Sequence, residues 1–178
     1  MSSTECVLYF AYGSNMLTPR LRDRNRAPSA QPVATGHLPR HRLTFDKVGR
    51  DESGKCSIAP TDDPTDRVYG VVFRMTWDHL ESLDAAEGLG TGYRRTRVDV
   101  VSGSRIHRSD TYIALRTEPV IQPFDWYRDL VAAGAEEHGL PAAYVAAIRA
   151  VPCLPDTSRD RQSRASTLLA NRPNLTTR

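Results

Sequence analysis

The chain has 178 residues, 39% hydrophobic and 25% charged, with a formal net charge of +3. That is length for one domain with a sizeable core, and a charge too small to imply nucleic acid by itself. Three cysteines without CxxC spacing (Cys6, Cys56, Cys153), no long apolar run and no signal pattern in Met1–Glu5 suggest a cytoplasmic protein outside the membrane.

Val7–Tyr12 reads as a buried strand that stops at Gly13-Ser14-Asn15, and Thr18-Pro19 follows as a helix N-cap and first helical proline. A strand, tight loop and short helix aim backbone N–H groups into one concavity, which suits a carboxylate or an oxyanion. The same residues also suit an ordinary turn after a core strand. Ala27–Pro32 reads as a connector, Leu38–Val48 as a strand, Gly49–Lys55 as a polar loop, and Cys56–Ala59 as a short strand before a second loop at Pro60–Asp66. Val68–Met75 is the clearest strand, rich in β-branched and aromatic residues.

Thr76 caps a helix over Trp77–Glu87, and Gly88 ends it. Tyr93–Val101 and Ser109–Arg116 are two further strands, with Ser102-Gly103-Ser104 starting the turn between them. Phe124–His138 is helical with Tyr127, Leu130, Val131 and Gly134 on one face, and Pro141 opens a last helix that Pro152 stops. We divide the chain into a domain over 1–155 and a polar, weakly basic tail over 156–178, with room for one short helix. Strands and helices do not alternate, so the expected class is α+β: a small mixed β-barrel or curved sheet with helices around it.

In the Thr76 helix, Leu80 and Leu83 form the inward stripe, and the next position on it is Glu87. Desolvation and the negative end of the helix both disfavour the charged form of a carboxylate there, which suits proton transfer near neutral pH. Alternatively, Glu87 fans outward at a frayed helix end. Gly88-Leu89-Gly90-Thr91-Gly92 follows a helix rather than a strand, so it is no nucleotide fingerprint. Ser14 lacks the first glycine of a nucleophile elbow and a histidine base. His37 and His41 are separated by Pro39, and His79, His107 and His138 stand alone, so no metal site is expected. The aromatic residues Tyr12, Tyr93, Tyr112, Trp126 and Tyr127 are candidates for pocket or core.

Tyr9-Phe10-Ala11-Tyr12-Gly13-Ser14-Asn15-Met16, joined to Leu83-Asp84-Ala85-Ala86-Glu87-Gly88, resembles the γ-glutamylcyclotransferases. Gly134-Ala135-Glu136-Glu137-His138-Gly139-Leu140-Pro141 with Tyr144 resembles their main branch rather than the glutathione-specific one. The resemblance covers residues 7 to 155. It implies a small β-barrel with surrounding helices, a cavity at its mouth, no cofactor, and intramolecular aminolysis of a γ-glutamyl amide to 5-oxoproline and a free amine. It also implies that Glu87 is the catalytic acid/base and that the Tyr12–Asn15 loop holds the glutamyl group. The candidate site is therefore Glu87 with Tyr9, Phe10, Ala11, Tyr12, Gly13, Ser14, Asn15, Tyr93, Tyr112 and Tyr127 around a small-molecule γ-glutamyl substrate. The expected partners include neither nucleic acid nor membrane, and the chain is expected as a monomer or homodimer. The loop after Glu87 is one residue shorter than in animal members and borders the leaving-group side, so the leaving amine stays open. A non-catalytic ligand-binding or regulatory protein on the same fold is the alternative.

Overall fold

A computed structural model of the chain describes residues 5–172. Five strands close into a barrel: β1 (Cys6–Ala11), β2 (Gln31–Pro39), β5 (Arg67–Thr76), β6 (Tyr93–Ser102) and β7 (Arg105–Ala114). Their order around the barrel is β1-β5-β2-β6-β7, with β3 (His41–Val48) and β4 (Gly54–Pro60) forming a separate two-stranded ribbon. All neighbours are antiparallel except β1 and β7, which meet in parallel at Tyr9 and Asp110 and seal the barrel.

The central strand β5 owes its place to its composition. Val68, Val71, Val72, Phe73 and Met75 are all buried, and Phe73 and Val72 pair with Tyr9 and Phe10 of β1. Gly70 has no room for a side chain: a Cβ there would lie 2.3 Å from the Ala11 carbonyl oxygen. The β6–β7 hairpin turns at Gly103, which takes a left-handed φ of +57°.

The expected strand over Leu38–Val48 is two strands. Arg40, at φ +55°, reverses the chain between β2 and β3. β2 also takes in Gln31 and Pro32, the end of the stretch expected as a connector, since Pro32 is accommodated by a register shift against β5 between Pro32 and Ala34.

Five helices surround the barrel: α1 (Thr18–Leu21), α2 (Trp77–Glu87), α3 (Asp125–Glu137), α4 (Ala142–Arg149) and α5 (Arg159–Ala170). Gly88 ends α2 in the left-handed region, as its sequence position implies. The expected caps differ in detail. Leu17, not Thr18, is the N-cap of α1, and the Thr18 hydroxyl instead lies 3.2 Å from His138 Nε2. Thr76 starts α2 by its extended backbone without a side-chain cap, its hydroxyl lying 3.3 Å from that of Ser29.

β5 ends beside the start of β1, where Thr76 pairs with Cys6. α2 therefore begins at one end of the barrel, and its C-terminus reaches Asn15 beyond the other end of β1. The polar tail supplies α5, which packs Ala165, Leu168 and Leu169 against Leu17, Leu130 and Ala133. Its approach is fixed by Asp156, whose buried carboxylate receives Trp126 Nε1 at 2.7 Å and Arg161 Nε at 2.6 Å. Among the described residues no helix is long and apolar enough to cross a membrane, and no cluster of His, Cys, Asp and Glu could hold a metal ion.

Candidate active site

β1 delivers Tyr12 and Gly13 to the barrel mouth, and Ser14–Met16 then turns as a short 3₁₀ segment. The turn's own hydrogen bonds start with Met16 N–H donating to the Gly13 carbonyl at 2.9 Å, so the N–H groups of Ser14 and Asn15 are not consumed by it. Gly13 is required by contact rather than by φ. A Cβ there would sit 2.9 Å from the Cβ of Cys56 and 3.6 Å from the Tyr127 hydroxyl. α3 backs the loop at Gly134, where an added Cβ would lie 2.5 Å from Leu17 N.

A cavity of about 280 Å³ opens at this mouth. Of the residues expected from sequence, Tyr9, Tyr12, Gly13, Ser14, Asn15, Glu87, Tyr93, Tyr112 and Tyr127 all line it. Phe10 and Ala11 do not: both are fully buried in the core, so their place in the candidate site is corrected to packing. Trp126 also lies off the cavity, engaged with Asp156.

Glu87 faces inward, its side chain 16% exposed. Asn15 Nδ2 donates to Glu87 Oε1 at 3.0 Å, and Arg26 Nη1 donates to the same oxygen at 2.9 Å. Arg26 Nη1 also donates to Asn15 Oδ1 at 2.9 Å, and Asn15 Nδ2 reaches the Tyr9 hydroxyl at 3.0 Å. Both contacts to the carboxylate fall on Oε1, and Oε2 has no hydrogen-bond partner among the described residues. Glu87 thus faces inward as the apolar stripe implied, beside a guanidinium that no sequence pattern announced.

One turn of helix before Glu87, Asp84 accepts from the Tyr112 hydroxyl at 2.7 Å and from Arg95 Nη1 at 2.6 Å. These bonds tie α2 to β6 and β7 and fix its rotation. The Tyr12 hydroxyl donates to the Tyr112 carbonyl, and that of Tyr93 to the Cys56 carbonyl at 3.0 Å. The Tyr127 hydroxyl accepts from the Cys56 N–H at 3.0 Å. Burial, above all, pushes the phenols of Tyr9, Tyr12, Tyr93, Tyr112 and Tyr127 upward, so they stay protonated. Burial likewise pushes the Cys56 thiol up to about 12, leaving it inert as a nucleophile. Ser14 Oγ accepts from Arg20 Nε at 3.0 Å, and no histidine is among the cavity's described lining residues. Besides Asp51, which is paired with Lys55, the wall thus offers the Glu87 carboxylate held by Asn15 and Arg26, the Ser14–Asn15 turn and a set of cations, a combination suited to moving a proton beside a developing oxyanion.

Arg20, Arg26, Lys47, Arg50, Asp51 and Lys55 line the cavity without having been expected from sequence. Each stands in a loop, short helix or ribbon whose composition looks like solvated surface; only the long-range fold turns them inward.

Residues 67–148 match the model of the AIG2-like family. A human protein named gamma-glutamylcyclotransferase is 34% identical over 157 residues, covering 83% of this chain and 79% of that protein. The Bos taurus protein of the same name is 35% identical over 144 residues, covering 79% of this chain and 76% of that one. A solved structure titled "Gamma-glutamyl cyclotransferase" superposes with a TM-score of 0.81 at 29% identity, covering 92% of this chain and 99% of the other.

Proposed function

Because the chain belongs to the γ-glutamylcyclotransferase family, we propose that it is the enzyme that cyclises a γ-glutamyl amide, releasing 5-oxoproline and a free amine. The observation that carries this reading is the single cavity lining in which Glu87 Oε1 is held by Asn15 and Arg26 beside the Tyr12–Asn15 loop.

The reaction joins two ends of one molecule. The α-amine of the glutamyl group attacks its own side-chain carbonyl carbon, a C–N bond forms, and the original amide C–N bond breaks. No water and no cofactor enter the balance. Holding the glutamyl group bent supplies much of the rate, since nucleophile and electrophile need only be brought into line. Glu87 Oε2 takes the proton that the attacking nitrogen must lose and returns it to the departing nitrogen. The N–H groups of Ser14 and Asn15 stabilise the oxyanion of the tetrahedral intermediate, and the protonated tyrosines close the site against charge and water.

The test is incubation with a panel of γ-glutamyl amides and detection of 5-oxoproline by mass spectrometry. Turnover is expected, and Glu87→Gln should lower kcat by about 10² to 10⁴ with the fold intact by circular dichroism. Free glutamate in place of 5-oxoproline would mean hydrolysis and defeat the proposal. Tight binding of the panel without any product would point to a binding protein.

A further inference from the structure

Glu87 stands in the wall between two cavities. The second, also about 280 Å³, shares Lys47, Gly49, Arg50 and Glu87 with the first and extends beneath the Gly88–Gly92 loop to Arg116. Of the cations that line the first cavity, three are engaged: Arg26 with Glu87, Lys55 with Asp51 at 2.9 Å, and Arg20 with Ser14. The two it shares with the second cavity, Lys47 and Arg50, are not, and neither is Arg116. Among the described residues, none of Lys47, Arg50 and Arg116 has a carboxylate at ion-pair distance, and Glu87 is the one acid on that wall.

Lys47 is the telling member. It is 9% exposed, and its ammonium rests 4.8 Å above the Tyr93 ring. Desolvation lowers its pKa, with the nearby Glu87 opposing that shift. A buried ammonium without a paired anion is costly, and an arriving carboxylate relieves that cost. The loop keeps the space beside it open. Gly88, at φ +68°, would place a Cβ 3.4 Å from Arg50 Nη2, and a Cβ on Gly92 would lie 3.0 Å from the Glu87 carbonyl and 3.4 Å from Lys47 Nζ.

We propose that the second cavity receives the departing half of the γ-glutamyl amide and selects an acidic α-amino acid there, glutamate or aspartate. This rests on the cyclotransferase reading above. The α-carboxylate of a departing amino acid lies one carbon from the nitrogen that Glu87 protonates, and Lys47 is the buried one of the two cations that line both cavities beside Glu87. A second carboxylate, on the side chain, lies further out, towards exposed Arg116 and Arg50. Two arginines for one carboxylate make the outer contact selective for charge even where solvent screens each pair.

The experiment compares γ-glutamylglutamate with γ-glutamylglutamine, which differ by little more than that one charge. Wild-type kcat/KM should favour the acid by about tenfold, and 0.5 M NaCl should narrow the gap. Arg116→Glu should bring the ratio to one or below, mainly through KM for the acid. Arg116 is exposed and its side chain has no hydrogen bond among the described residues, and an unchanged melting temperature checks the fold. Equal wild-type turnover of the two dipeptides, or a ratio that survives Arg116→Glu, overturns the acidic-leaving-group assignment alone. Silence towards both, and towards the whole panel of γ-glutamyl amides, overturns the cyclotransferase reading as well.

Discussion

Arg26 Nη1 lies 2.9 Å from Glu87 Oε1, and the two side chains are 17% and 16% exposed. They come from a turn between α1 and β2 and from the last residue of α2, far apart in the chain. The guanidinium holds one carboxylate oxygen, so it fixes the direction of the Glu87 side chain.

Replacing Arg26 by methionine keeps the bulk and removes the clamp. We expect kcat to fall about tenfold to a hundredfold, as misplaced catalytic groups typically cost, while KM changes little. Arg26→Lys should recover part of the loss. Steady-state kinetics on one γ-glutamyl amide separates the two parameters. A rise in KM at unchanged kcat would show that Arg26 holds the substrate rather than Glu87.

Gly134→Ala should destabilise the protein even though alanine is the better helix former by about 1 kcal/mol. The new methyl would stand 2.5 Å from Leu17 N and 2.8 Å from the Met16 carbonyl carbon, both backbone atoms that cannot step aside. Overpacking of this kind costs about 1 to 3 kcal/mol. A lower urea midpoint together with weakened turnover is expected, because the displaced segment is the continuation of the active-site loop. A midpoint equal to or above wild type would disprove the close packing.

Asp156 makes a pH prediction. Hydrogen bonds from Arg161, then from the Ser158 N–H and Trp126, hold its carboxyl well below the usual carboxylate range, with burial opposing them. A folded-state pKa below the unfolded one gives stability that is complete above the unfolded value, about 3.9, and is lost as pH falls towards the folded value. Asp156→Asn should therefore lower the urea midpoint at pH 7, and the gap from wild type should shrink between about pH 4 and pH 2. A gap that stays constant down to pH 2 would refute this ion pair as the anchor of α5.

How much of this could be read along the chain depends on where the information lies. β5 and α2 are written locally, the first in its β-branched run and the second in Leu80, Leu83 and the left-handed Gly88. β2 is not, because only Gly36 and Leu38 are buried along it and its hold on the barrel is backbone pairing to β5. The inward Glu87 was legible as a polar residue on an apolar stripe. Arg26, Lys47 and Asp84 were not: an arginine in a turn, a lysine in a ribbon and an aspartate in an amphipathic helix all look solvated until the barrel closes. Phe10 and Ala11 erred the other way, since adjacency to a site loop does not put core residues on its surface.

The path of α2 carries one more consequence. β1 spans about 17 Å and α2, running back alongside from the far end, spans about 15 Å. The helix is a ruler cut to the length of a strand. One residue added to α2 would swing Glu87 about 100° around the helix axis, away from Asn15, whereas residues added to the Gly88–Gly92 loop would leave that register alone. The length of β1 and the length of α2 are thereby coupled through Glu87, and the loop that comes after can change length without moving it.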